Sequence, residues 1–134
     1  MSPTYKNGTY LATKLYLQKK DTLQRGDIII FKSPQNPNQD LIKRVIGLPG
    51  EPVFLQNGAV YINGQSLDES KYLSSDTKTT GSTFLSDGQT ITVPYKQYLV
   101  LGDNRLHSTD SRQWGFVPEA NLISKVSFCY WNCK

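Results

Sequence analysis

Two apolar-rich runs, Val53-Phe54-Leu55-Gln56 and Ala59-Val60-Tyr61-Ile62, are separated by Asn57-Gly58. An Asn-Gly pair between such runs is the strongest short-range signal for a β-hairpin, because both central turn positions need positive φ. A second Asn-Gly, at 63–64, follows at once. The other apolar runs are equally short. Residues 9–17, 28–31, 41–46, 90–93, 97–101 and 125–131 each read as a strand, with 28–31 a continuous run of the buried kind and 90–93 alternating and half-buried. Two prolines and two asparagines keep 33–39 out of any central strand. Residues 118–122 predict one helical turn, with Pro118 at a tolerated first position. From 66 to 88 the chain is polar and aperiodic. The pattern predicts an all-β, antiparallel fold: a β core from 1–56 and 90–134, and a small inserted β cap over 57–89.

Composition supports that class. With 134 residues the chain is long enough for one domain with a real core. Its 8 Tyr, 5 Phe and 2 Trp favour strands. A net charge of +4 suits an acidic surface, and anionic lipid headgroups are the expected partner. Nucleic acid is not expected, because Lys and Arg are dispersed and no recognition helix or RNA-binding motif appears. No apolar stretch approaches the roughly 20 residues of a membrane span, and no signal-peptide pattern opens the chain. Cys129 and Cys133 lie four residues apart, about 13 Å if extended, beyond the roughly 7 Å limit for a bridge. Free thiols are expected unless the terminus turns.

The densest polar chemistry lies in residues 102–115, GDNRLHSTDSRQWG. The apolar run ending at Leu101 leads in, and Phe116-Val117-Pro118 leads out. Gly102-Asp103-Asn104 is a turn signal. Asp110 and Arg112 are two apart, so an extended chain would place them on one face, where a guanidinium fork can lock a carboxylate. Lys43 sits in an otherwise apolar run; alternation groups it with Leu41 and Val45, and Arg44 with Ile42 and Ile46. Such a lysine is ordinarily an edge or snorkelling residue. If it is desolvated, its charged form is disfavoured and the neutral amine can act as a base. His107, the only histidine, reads as a solvated loop residue. One His and two distant Cys make a poor metal set, and 47–50 lacks the spacing of a phosphate loop.

The run GDNRLHSTDSRQWGFVPEANL resembles the last conserved box of type I signal peptidases, the serine–lysine proteases that remove signal peptides from exported proteins. The remaining boxes follow in order. Residues 25–31, RGDIIIF, are similar to the family's RGD-plus-apolar strand; residues 43–50, KRVIGLPG, resemble its lysine box; and Met1-Ser2-Pro3-Thr4 resembles the part of its serine box that follows the nucleophile. The likeness covers nearly the whole chain and is weakest at 57–89, where the family carries a variable cap.

That resemblance implies roles. Lys43 would be the general base, Ser108 would orient its amine, and Asp110 and Arg112 would pair to hold the loop. Met1, Tyr5, Leu41 and Ile42 would line shallow pockets that accept the small residues of an Ala-x-Ala site, with the substrate added as an extended strand. No cofactor is implied. The expected setting is the cell membrane, with the catalytic domain on the extracytoplasmic side, an anchor upstream of Met1, preproteins as substrates and a monomeric enzyme. In the family the nucleophilic serine immediately precedes this Met, so its place falls before Met1. Ser2 falls one residue along and would face the other way. Residues 1–134 as written are therefore expected not to cleave. Two alternatives remain: a non-catalytic relative that binds or chaperones an exported or pilus substrate, and, ranked lower, a self-cleaving regulator.

Overall fold

The computed structural model describes residues 1–15 and 22–131. Ten strands occur among them: β1 (Tyr10–Leu15), β2 (Ile28–Lys32), β3 (Asp40–Gly47), β4 (Pro52–Gln56), β5 (Ala59–Ile62), β6 (Gln65–Ser66), β7 (Ile91–Thr92), β8 (Gln97–Leu101), β9 (Val117–Pro118) and β10 (Leu122–Trp131). One short helix, α1 (Ser111–Trp114), joins β8 to β9. The strands form a six-stranded sheet in the order β1-β10-β2-β3-β8-β9 and a four-stranded sheet in the order β6-β5-β4-β7. Every strand pair is antiparallel. The fold is all-β, as the short runs predict.

Local chemistry sets the small sheet. Asn57 and Gly58 take φ of 52° and 77°, the left-handed pair that a two-residue hairpin requires. This pins Gln56 opposite Ala59 and Val53 opposite Ile62. Asn63 and Gly64 repeat the device at 52° and 78°, so Tyr61 faces Ser66 on β6.

Tertiary packing sets the large sheet. On one face Ile46, Leu99 and Leu101 meet Val53, Leu55, Val60, Ile62, Leu85 and Val93, which joins the two sheets in one core. On the other face Ile29, Phe31, Val45, Tyr98, Val100 and Val117 form a second core. Strands β3 and β8 are thus covered on both sides, and their sequences read as continuous apolar runs for that reason. Gly47 has no room for a side chain, since a Cβ there would lie 3.0 Å from both Leu99 and Val93.

Several expectations are corrected. Pro118 ends β9 and precedes the 3-10 turn Glu119–Asn121 instead of opening it. The closing strand begins at Leu122, three residues early. The first strand begins at Tyr10, and residues 16–17, expected to extend it, lie outside the described residues. Cys129 is disulfide-bonded, not free. Cys133 lies outside the described residues.

Candidate active site

Strand β3 carries two adjacent cations, and β8 ends beside them. Ile29 on β2 pairs with Lys43; on the other side Arg44 pairs with Leu101, the last residue of β8. Beyond Leu101 the chain leaves the sheet, so the loop that follows folds over Lys43. Its amine donates to Ser108 Oγ at 2.9 Å. Gly102 makes this approach possible. A Cβ at that position would sit 2.0 Å from Ser108 Oγ and 3.4 Å from Lys43 Nζ. The sequence marks Gly102 as a turn residue that uses its freedom in φ, yet its φ is not positive; what the site needs is its missing side chain.

Lys43 is seated without a counterion: among the described residues it makes no ion pair. Burial pulls its pKa below the ordinary 10.5. Asp110 and Asp103 oppose that from a distance, and Arg112 reinforces it. The amine opens onto a cavity of about 400 Å³ lined by Met1, Ser2, Tyr5, Gly102, His107 and Ser108, among others. Met1, one of its lining residues, carries the α-amino group of the chain. Burial, and then the charge of Lys43, hold that group below its usual 8.0.

Beneath the cavity the loop is locked by buried ion pairs. Arg112 donates from Nε and Nη2 to the two carboxylate oxygens of Asp110, both at 2.8 Å. The pair forms in a helix cap, not in extended chain: Asp110 is the N-cap of α1 and accepts from the Arg112 amide. Burial alone would raise the pKa of Asp110, but Arg112 and the Gly102 amide carry it below 3.8. On the opposite face of β3, Arg44 donates to both oxygens of Asp103 at 2.8 and 2.7 Å and to the Gly26 carbonyl at 2.8 Å. The Thr4 hydroxyl donates to the same Asp103 carboxylate, which ties the segment after Met1 to β3. Arg25, of the 25–31 box, donates to both oxygens of Glu51 and to the Ile46 carbonyl, so it braces the turn after β3.

Of the residues marked in the sequence, Lys43 and Ser108 meet directly, Met1 and Tyr5 line their cavity, and Asp110 and Arg112 underlie it. Leu41 and Ile42 are placed elsewhere. Leu41 packs on the core around Phe31 and Val45, Ile42 is half-buried opposite Ile30, and neither lines the cavity. Sequence reasoning missed Thr4, Asp103, Arg105, Glu69 and Tyr72. The available signal was the surplus of arginines in and next to apolar or turn segments, since a buried guanidinium requires a carboxylate somewhere.

Comparison with known proteins gives a consistent result. The family description "Signal peptidase, peptidase S26" matches residues 1–131. The chain is similar to signal peptidase IB of Staphylococcus aureus, 37% identical over 142 residues covering 98% of this chain and 73% of that protein. It is similar to signal peptidase I V of Bacillus subtilis, 38% identical over 95% of this chain and 78% of that protein. A crystal structure of a signal peptidase I from Enterococcus faecalis superposes with a TM-score of 0.62 at 43% identity, over 76% of this chain and 94% of the other.

Proposed function

The chain belongs to the signal peptidase family, peptidase S26, and on that premise we propose that Lys43 is the general base of a serine endopeptidase that cleaves signal peptides from exported preproteins. The observation that carries this is a half-buried amine with a neutral hydrogen-bond partner and, among the described residues, no carboxylate counterion. A neutral Lys43 donates one N–H to Ser108 and turns its lone pair towards the cavity. There it takes the proton of a serine hydroxyl as that oxygen attacks the scissile carbonyl. The resulting ammonium returns the proton to the departing amine as the peptide C–N bond breaks, and water then releases the acyl group by the same base. In the family pattern the serine is joined to the nitrogen of Met1, a residue that lines the same cavity as Lys43.

The substrate segment lies along the cavity as an added strand, with small residues of an Ala-x-Ala site against Met1 and Tyr5, and Leu41 and Ile42 flanking along β3. The domain acts as a monomer at the extracytoplasmic face of the cell membrane. An upstream anchor and the net charge of +4 draw it to anionic lipid.

The test compares residues 1–134 as written with the same chain carrying a serine, preceded by a short linker, joined to Met1. A peptide spanning an Ala-x-Ala signal cleavage site is the substrate. Cleavage should require the added serine, fall to background when that serine is alanine, and fall by about 10²–10⁴ with Lys43→Ala. Full activity in Lys43→Ala would refute the base assignment, and cleavage by the unextended chain would refute a nucleophile joined to Met1. Binding without cleavage by the serine form would leave a substrate-binding relative instead.

A further inference from the structure

Residues 66–88 read as a peripheral excursion, yet their side chains reach the residues on either side of Lys43. Arg105, in the site loop, is buried. It donates from Nε to the Gly102 carbonyl at 3.0 Å. Its two terminal nitrogens donate to both carboxylate oxygens of Glu69, at 2.9 and 2.5 Å. Glu69 also accepts from the Tyr72 hydroxyl at 3.0 Å. The ring of Tyr72 lies under the Arg44 guanidinium, 3.9 Å from its centre, and Arg44 holds Asp103. One carboxylate and one aromatic ring therefore anchor both arginines that fix the chain at Gly102 and Asp103. Gly102 is the residue whose backbone lies against Ser108 and Lys43.

We propose that Glu69 and Tyr72 are positioning residues for the Lys43–Ser108 pair, acting through Arg105 on the Gly102 carbonyl and through Arg44 on Asp103. Neither touches the cavity that Lys43 opens onto. Their effect is geometric: with both arginines held, the 102–108 turn closes over the amine and keeps water from it. If Glu69 is lost, Arg105 has a buried charge without its carboxylate and the turn must open to hydrate it.

Sign separates this from simple electrostatics. The charges that chiefly shift Lys43 are those of Asp110, Arg112 and Asp103. Removing a distant carboxylate, or leaving a distant guanidinium unneutralised, can only disfavour the ammonium and lower its titration point. Opening the turn rehydrates the ammonium and raises it.

The experiment is an NMR titration of the chain with ¹³C-labelled lysine, the Lys43 signal being assigned by its loss in Lys43→Arg. In Glu69→Gln the midpoint of Lys43 should move up, towards 10.5, with the β-sheet amide spectrum retained. Tyr72→Phe keeps the ring on Arg44 and loses only the bond to Glu69, so its shift should be upward and smaller. If Glu69→Gln does not fold, Glu69→Met combined with Arg105→Met removes both charges together and should still raise the midpoint, since Gly102 loses its donor. An unchanged or lowered midpoint in the folded variants would overturn the proposal. The proposal deepens the assignment of Lys43 as base, but the titration reads the amine itself, so its outcome is decided independently of whether the serine form cleaves.

Discussion

Lys43 and Arg44 are neighbours on β3 that face opposite ways, and the protein treats their charges oppositely. Arg44 is buried against a carboxylate that meets it with two oxygens, with a backbone carbonyl and an aromatic face completing its shell. Lys43 is withdrawn from water as well, but its close partner is a neutral hydroxyl. A paired guanidinium keeps its charge in any environment. An unpaired, desolvated amine sheds its proton more readily. Position in the fold is nearly shared, so the counterion makes the difference: one face of the strand holds a paired charge, the other an amine whose ammonium form burial disfavours.

Breaking the paired side should have the largest effect on folding. Asp103→Asn leaves Arg44 buried beside a neutral amide and should cost about 3–5 kcal/mol, read as a lower denaturant midpoint with little change in slope. A loss under about 1 kcal/mol would mean that the pair behaves as a surface ion pair. Next comes Gly102→Ala. Its new methyl occupies the space of Ser108 Oγ, so the turn must shift, at about 1–3 kcal/mol and with loss of cleavage in the serine-bearing chain. Retained cleavage would show that the close approach is dispensable.

The unpaired side should respond in the opposite direction. Lys43→Met removes a buried amine of similar length and should stabilise the fold at neutral pH by about 1 kcal/mol, while abolishing cleavage. Its pH dependence sharpens the contrast. Because the folded pKa of Lys43 lies below 10.5, the unfolded chain binds the extra proton between the two values, so this group makes stability rise with pH across that window. Lys43→Met should flatten that rise, as seen in melting temperature against pH. The same lowered value means that cleavage, which needs the neutral amine, rises with pH and levels off below 10.5. Asp110 has the same sign at the acid end, where the unfolded chain again binds the extra proton. Its folded value lies below 3.8, so its contribution is present above 3.8 and lost as pH falls through the folded value, and it adds no slope near neutral pH.

The same contrast explains what could be read from the residues alone. The β4–β5 hairpin was legible because Asn57-Gly58 specifies its turn locally. The continuous runs of β3 and β8 were legible because double burial removes alternation. Lys43 stood out as a cation in such a run. Residues 66–88 were opaque because few apolar side chains order them: Glu69 and Tyr72 are placed by arginines more than thirty residues away or on another strand, and no spacing rule names a partner at that range. Arg112 shows the intermediate case, in which its pairing with Asp110 was visible as a two-residue spacing, while the helix cap that forms it was not. Gly102 was noticed for the wrong property, since a sequence shows that a glycine can turn but not what lies against it.

Lys43 is proposed to be kept desolvated and, among the described residues, without an ion pair, so that it can give up its proton. Titrating the ¹³C-labelled Lys43 side chain in the unsubstituted chain tests it most directly. A midpoint clearly below 10.5 is the predicted result. A midpoint at or above 10.5 would mean that the ammonium is solvated or paired, and that the base lies elsewhere.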